Sequence, residues 1–394
     1  MDLELTEEQA AVRELAATFT DREIVPFAAD WDRAESIDLG IVRKLGELGF
    51  LGLTLPVEYG GSGGDHLAYC LVLEELGRGD SSVRGVVSVS LGLVAKSVNA
   101  FGTGEQKREW LPRLCSGEAL GCFALTEPGT GSDAANLTTR AERDGGGDSG
   151  DDGGGGGGDW LISGAKMFIT NGTWADVALV FARTGGAGHR GVTAFLVPTD
   201  APGFERRLVH GKLGLRGQAT AELSFDRVRV PDSARLGGVG EGFKVAMAAL
   251  AKGRMSVAAG CVGIARASLE AAVRYAGERE QFGKPIAAHQ LVQELLADTA
   301  VDVDAARLLT WRVADLIDRG LPFATESSVA KLYASEAAVR CANNALQVFG
   351  GYGFIDEYPV GKYLRDARVM TLYEGTSQIH KLLIGRSLTG VNAF

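Results

Sequence analysis

Thr371-Leu372-Tyr373-Glu374-Gly375-Thr376-Ser377-Gln378-Ile379 sets one carboxylate between an aromatic ring and a glycine, then follows it with two hydroxyls and an amide. That is an odd composition for a helix interior. Gly375 lets the backbone approach another molecule closely, and Thr376, Ser377 and Gln378 offer hydrogen bonds to something polar. Glu374 can then act as a base held against a ligand. The same residues also read as a helix start, with Thr376 or Ser377 as N-cap ahead of Ile379, Leu382, Leu383 and Ile384. Both readings can hold at once, and the rest of the chain bears on what the carboxylate does.

With 394 residues, 45% hydrophobic and 23% charged, the chain can form two or three domains with substantial cores. A net charge of −10 argues against nucleic acid as a partner, because phosphate binding needs basic patches. No apolar run reads as long enough to span a bilayer, so no membrane is expected. The acidic start Met1-Asp2-Leu3-Glu4-Leu5 has neither the basic n-region of a signal peptide nor the Arg-rich character of a transit peptide. A cytoplasmic location is the expectation. Cys70, Cys115, Cys122, Cys261 and Cys341 form no C-x-x-C pair, which predicts reduced, buried thiols.

The pattern along the chain runs α, β, α. Thr6 and Gln9 form a candidate capping box ahead of Val12, Leu15, Ala16 and Phe19. Further helices are predicted over 39–49, 66–76, 88–101 and 104–115, with Gly60-Gly61-Ser62-Gly63-Gly64 as a loop. Short β-branched and aromatic runs then predict strands over 121–126, 160–170, 177–183, 192–198 and 219–230. After Pro231, long amphipathic patterns over 243–279, 289–319 and 326–349 predict an antiparallel bundle, with Ala258, Ala259, Gly260 and Gly263 letting neighbours approach closely. The expected architecture is α+β and multidomain: an N-terminal helical domain over 1–121, a middle β-domain over 122–230 and a C-terminal four-helix bundle over 231–394. The almost pure Gly and Asp run at 145–158 is expected to be an exposed loop.

Several motif matches fail on context. Gly153, Gly155 and Gly158 satisfy G-x-G-x-x-G, but Asp159-Trp160 opens a strand and not a helix. Gly60 to Gly64 satisfies G-x-S-x-G without the strand and helix that a nucleophile elbow needs. His66, His189, His210, His289 and His380 show no metal spacing, so no metal is expected.

Four other stretches are polar in ways a core does not require. Phe123-Ala124-Leu125-Thr126-Glu127-Pro128-Gly129-Thr130-Gly131-Ser132-Asp133 runs a strand into a loop with hydroxyls and free amides. Lys166-Met167-Phe168-Ile169-Thr170-Asn171-Gly172 ends a strand on an aromatic and a hydroxyl. Arg279-Glu280-Gln281-Phe282-Gly283-Lys284-Pro285-Ile286 breaks two long helices with a cation and an amide. Gln347-Val348-Phe349-Gly350-Gly351-Tyr352-Gly353 also reads as a glycine-capped helix end. Together with Tyr373–Gln378, in this order and spacing, these stretches resemble the acyl-CoA dehydrogenase family over essentially the whole chain.

The resemblance implies FAD, bound between subunits of a homotetramer built as a dimer of dimers. It places Phe123, Leu125, Thr126, Gly131 and Ser132 at the flavin, with Thr126 bonding the ring and Ser132 near the acyl-CoA. It packs Phe168, Ile169 and Thr170 against the flavin, where many members carry Trp at position 168. Arg279, Gln281 and Phe282 from a neighbouring subunit, with Gln290, Gln347, Gly350 and Gly351, are implied to hold the pyrophosphate and adenosine half, for which an arginine fork is suited. Thr376 and Gln378 are implied to close over the cofactor. Arg254, Tyr373 and Gly375 are implied to line the acyl-CoA site. Glu374 matches the base of the short-chain, medium-chain and glutaryl types. The helix that carries the base in isovaleryl and long-chain types reads Ala248-Ala249-Leu250-Ala251-Lys252-Gly253-Arg254 here, with no carboxylate. The implied reaction is α-proton removal by Glu374 and β-hydride transfer to the flavin, with the Glu374 backbone amide helping to stabilise the enolate. Electrons are implied to pass to an electron-transfer flavoprotein.

Arg84, in Asp80-Ser81-Ser82-Val83-Arg84, stands where glutaryl-CoA dehydrogenases bind the distal carboxylate, although Gly85 replaces their usual serine. An ion pair with Asp80 is the structural alternative. The same pattern resembles dehydrogenases of hydroxymalonyl groups on acyl carrier proteins, so a carrier-protein thioester is the runner-up substrate. A flavin oxidase on the same fold is disfavoured by the intact Tyr373-Glu374-Gly375-Thr376.

Overall fold

Local hydrogen bonds at the first helix show how the sequence commits to its ends. Thr6 Oγ1 accepts from the Gln9 amide at 3.2 Å, and the Gln9 side chain accepts from the Thr6 amide at 3.0 Å. This capping box starts α1 (Glu7–Glu23). The computed structural model describes residues 4–144 and 158–392; the run expected as an exposed loop at 145–158 lies outside the described residues except for Gly158.

Helices α2 (Ala28–Ala34), α3 (Gly40–Glu47), α4 (His66–Gly79), α5 (Ser81–Val89), α6 (Lys96–Phe101) and α7 (Gly104–Ser116) complete the N-terminal part. The helix expected over 88–101 is present and begins earlier, at Ser81. Asp80 caps a new helix by accepting from the Ser82 amide at 2.6 Å, and a π-helical turn, Ser90–Ala95, separates α5 from α6. The stretch over 86–95 is buried throughout and holds no proline, so the sequence pattern shows no joint at the π-helical turn.

The middle part is an eight-stranded sheet: β1 (Gly121–Ala124), β2 (Arg140–Arg143), β3 (Trp160–Ile169), β4 (Val177–Arg183), β5 (Val192–Pro198), β6 (Phe204–Leu208), β7 (Ala221–Val230) and β8 (Arg235–Leu236). Its order is β6-β7-β3-β2-β4-β5-β8, and β1 pairs in parallel with β4, Gly121 opposite Val177. Strands β2 and β6 carry Arg and Glu at most positions, which hid them from a hydrophobic pattern. Strand β4 is buried on both faces. Val177, Leu179 and Phe181 join the large helical core, whereas Ala178, Val180 and Ala182 face a second core within the β-domain.

Long helices follow: α8 (Gly242–Glu278), α9 (Gln290–Asp318), α10 (Ala324–Phe349), α11 (Val360–Met370) and α12 (Ser377–Thr389). Between α8 and α9 a short hairpin pairs β9 (Glu280–Gln281) with β10 (Lys284–Pro285). Helices α8, α9 and α10 pack on one another, and α12 lies against α10. Contrary to the sequence reading, α8 is long and apolar enough by composition to cross a bilayer, but 72% of that window is buried inside the protein. Its apolar surface is used on α4, α9 and α10. Small residues set that packing distance: a Cβ on Gly260 of α8 would lie 2.6 Å from Arg84 Nε, and one on Gly77 of α4 would lie 2.8 Å from the Gly260 carbonyl oxygen. All five cysteines are free and buried.

Candidate active site

The turn between α11 and α12 carries Glu374 in the left-handed region at φ 51°, with Gly375 at φ 99°. A glutamate there is strained and persists only where its surroundings fix it. Thr376 caps α12 by accepting from the Ile379 amide at 3.2 Å, so the helix-start reading is met. The Ser377 amide donates to the Thr371 carbonyl at 3.0 Å, and Ser377 Oγ donates to Glu336 at 2.5 Å. Lys331, on α10, donates from Nζ to the Gly375 carbonyl at 2.7 Å.

The Glu374 carboxylate ends in a confined space. Although the residue keeps some exposure, Oε2 is buried and has no hydrogen-bond partner. Burial pushes its pKa up to about 7, against the opposing pull of Arg84, Lys331 and Arg254. A Cβ on Gly253 of α8 would lie 2.2 Å from that Oε2 and 2.8 Å from Leu93 Cδ2. Leu93 belongs to a small apolar cluster with Val89 and Ala249, on which Phe123 packs. An apolar wall from the π-helical turn and β1 therefore runs up to the carboxylate.

Arg84 is 1% exposed. Its Nη2 donates to Tyr373 Oη at 2.6 Å and its Nη1 to Ser88 Oγ at 3.1 Å, while Nε is buried without a partner. The ion pair with Asp80 does not form. Asp80 is taken up by the α5 cap and by Lys362, whose Nζ lies 2.8 Å from its Oδ2. Among the described residues no carboxylate makes an ion pair with Arg84. Tyr69 Oη is likewise buried and unpartnered. Arg254 donates to Ser328 Oγ at 3.3 Å and has a buried, unpartnered Nε.

A second group of predicted residues gathers where β1 meets β3. The Met167 amide donates to the Thr126 carbonyl at 2.8 Å. Next to it Lys166, fully buried, donates to the Leu125 carbonyl at 3.1 Å and to Glu127 at 2.8 Å. The register of β3 against β7 shifts between Lys166 and Ile169. That irregularity turns Phe168 outward at φ 59°, 63% exposed, the kind of re-aiming a bulge provides. Ile169 is buried, and Thr170 Oγ1 donates to Gln218 at 3.4 Å. Gly85 lets Gln218 lie against α5, since a Cβ there would fall 1.9 Å from Gln218 Nε2. Gly131 and Ser132 are exposed in the loop after β1.

The third group forms a groove of about 420 Å³ lined by Arg279, Gln281, Phe349, Gly350, Gly351 and Tyr352 among others. Phe282, Gln290, Gln347 and Gln378 are exposed and do not line it, and Phe282 projects at 93% exposure. Sequence reasoning gave no role to Lys331 or Tyr69, counted His380 only among histidines without metal spacing, and named Gly253 only in the stretch that lacks a carboxylate; Lys331, His380 and Gly253 touch or border the Glu374 turn. Their only sequence signal is a polar residue, or a glycine, on the inward face of a helix.

Three family models match in succession: the acyl-CoA dehydrogenase N-terminal domain over 6–118, its middle domain over 122–228 and its C-terminal domain over 240–389. The chain belongs to the acyl-CoA dehydrogenase family. It is 42% identical over 389 residues to an acyl-CoA dehydrogenase of Bacillus subtilis, covering 98% of this chain and 100% of that one. The structure of butyryl-CoA dehydrogenase from Megasphaera elsdenii superposes with a TM-score of 0.94 at 38% identity, covering 98% of this chain and 100% of that one. A glutaryl-CoA dehydrogenase of Mycobacterium smegmatis in complex with FADH2 does so with a TM-score of 0.92 at 38% identity, covering 99% and 96%.

Proposed function

We propose that this chain desaturates an acyl thioester at its α,β-bond, with Glu374 removing the α-proton. The observation that carries the reading is a buried, unpartnered carboxylate oxygen on a strained turn, beside an apolar wall. A base poised near neutrality matches the pH at which it must both accept and release a proton.

The residues present fit FAD. The outward Phe168 ring offers a stacking face, Thr126 and Thr170 border it, and the Arg279–Gly351 groove is open, with no atom within 4 Å of a Cβ on Gly350 or Gly351. When bound, the flavin supplies the acceptor for the β-hydrogen. The protein's own work is positional. Phe123, Val89, Leu93 and Ala249 would exclude water from the acyl path, Gly253 leaves room for the carboxylate, and the Glu374 backbone amide would donate to the thioester oxygen, as the resemblance implies. In keeping with the resemblance, Ser132 and Gly375 are assigned to the acyl thioester, and Thr376 and Gln378 to closing over the cofactor. The exposed Phe282, Leu291 and Phe354 support assembly with further copies, as a homotetramer. Electron-transfer flavoprotein is the proposed electron acceptor, in keeping with the family resemblance.

A specific observation favours an anionic acyl end. Arg84 is sealed in the fold and makes no ion pair with a carboxylate among the described residues, and such a charge is costly until a counter-ion meets it. The glutaryl type and the hydroxymalonyl carrier-protein type both supply one. Anaerobic bleaching of bound flavin across straight, branched and dicarboxylic acyl thioesters tests the reading. Bleaching lost in Glu374→Gln with flavin retained supports the base, and full bleaching in that variant refutes it. Bleaching by glutaryl-CoA that vanishes in Arg84→Met supports the anionic end; a preference for unsubstituted butyryl chains refutes it.

A further inference from the structure

We propose that Lys331 is a positioning residue that holds the Glu374–Gly375 turn in its strained form and so sets where the carboxylate points. The proposal rests on Glu374 being the base. Lys331 projects from α10, is fully buried, and its one side-chain hydrogen bond among the described residues is the 2.7 Å donation to the Gly375 carbonyl. A lysine is seldom fully buried unless paired, and here its partner is a single carbonyl next to a residue at φ 51°. Fixing that carbonyl fixes the peptide after Gly375 and so the direction in which Glu374 leaves the turn.

The opposite side of the turn is closed by His380, 0% exposed on the first turns of α12. A Cβ on Gly375 would lie 2.9 Å from its Nε2. Among the described residues its ring nitrogens have no side-chain partner, and burial first, then Lys331 and Arg254, outweigh the nearby Glu374 and Gly375 backbone and keep the ring neutral with a pKa of about 3. The turn is therefore clamped between an ammonium and an uncharged ring, so the charge reaching Glu374 from this side comes from α10. The groups facing Lys331 are Cys261 and Arg254 of α8, Glu374 and His380 around the turn, and Glu336 of its own helix. Of these, Cys261 is held protonated, with a pKa pushed up to about 12 by burial. Lys331 itself is brought down to about 8, chiefly by burial. The lysine thus adds positive charge beside Glu374 below about pH 8 and loses it above.

The test is kcat/KM against pH for the FAD-loaded wild type, Lys331→Met, Lys331→Arg and Glu374→Gln, with bound flavin measured by absorbance. Removing the cation in Lys331→Met is expected to move the acid limb up by about one pH unit, since an opposite charge nearby lowers a carboxyl pKa by one to three units. Lys331→Arg keeps the charge at every working pH. It is expected to keep the acid limb in place. A Lys331→Met enzyme with a lowered kcat but an unmoved acid limb overturns the proposal. If that variant does not fold, an acid limb that moves in Lys331→Arg, which keeps the charge, overturns it. Turnover retained by Glu374→Gln brings down the base assignment and this inference with it. Loss of turnover there, with Lys331 variants matching wild type, brings down this inference alone.

Discussion

Gly253 on α8 and Glu374 on the α11–α12 turn share one space: a Cβ at position 253 would lie 2.2 Å from Glu374 Oε2. The long helix passes the carboxylate so closely that only a hydrogen fits between them. Alanine is the better helix former by about 1 kcal/mol, so Gly253→Ala suits the helix while displacing the base. The expected outcome is a folded, flavin-binding enzyme whose flavin-bleaching rate falls by about 10²-fold, the cost of roughly 1 Å of misplacement. Stopped-flow absorbance of the variant measures it, and an unchanged rate contradicts the geometry.

The raised proton affinity of Glu374 predicts two pH effects of opposite use. Its carboxyl is protonated below its folded value of about 7, so kcat/KM falls with unit slope on the acid side of neutrality. Glu374→Gln loses about 10²- to 10⁴-fold in rate at every pH. For stability, the folded value lies above the ordinary carboxylate range. The contribution is therefore fully present below that ordinary range and is lost as pH rises through about 7. The melting temperature of the wild type relative to Glu374→Gln is expected to decline between pH 5 and pH 8. A flat difference contradicts the burial of the carboxylate.

The contrast between Glu374 and Lys331 shows what the sequence could and could not say. Glu374 stood out because a carboxylate beside glycine and hydroxyls has no business in a helix core; the long helices were legible from periodicity, and strands such as β4 and β5, buried along nearly their whole length, from their β-branched and aromatic runs. Lys331 sits in Val329-Ala330-Lys331-Leu332-Tyr333, a pattern any solvated helix shows. Its burial follows from α10 packing on α8 and on the turn, which no local pattern encodes. Likewise Phe168 is exposed only because β3 slips register against β7, and Asp80 leaves Arg84 for a helix cap and Lys362. Pairings of this kind depend on which elements meet in space.

Lys166 and Glu127 tie the loop after β1 to β3, both almost wholly buried. Burial alone raises the Glu127 pKa, but the Lys166 charge and the bonds from Lys166, Thr139 and Thr138 bring it down to about 2. Lys166→Met removes the counter-charge and the donor to the Leu125 carbonyl together. Breaking one side of a buried pair costs about 3–5 kcal/mol, so a marked loss in urea stability is expected. Weaker flavin retention should accompany it, because Thr126 lies between the two tethered residues. The double change with Glu127→Gln is expected to recover part of the stability, and a double-mutant cycle showing no coupling contradicts the account.

Arg84 sets stability against function in a way that can be read directly. The guanidinium is buried among Tyr373, Ser88, Met370 and Gly260 with no carboxylate partner among the described residues. Removing a buried charge and filling its place with a well-packed apolar chain is often neutral or stabilising by about 1–4 kcal/mol. Arg84→Met is thus expected to unfold at equal or higher denaturant concentration than the wild type, and to lose activity toward thioesters with an anionic acyl end by about 10²-fold or more. Arg84→Lys keeps the charge but cannot reach both Tyr373 and Ser88 with one fork, and should retain part of that activity. Urea titration and bleaching kinetics on the same three proteins check both halves. A strongly destabilised Arg84→Met whose substrate preference is unchanged makes Arg84 a structural residue of the α5–α8 contact, with no part in choosing the acyl group.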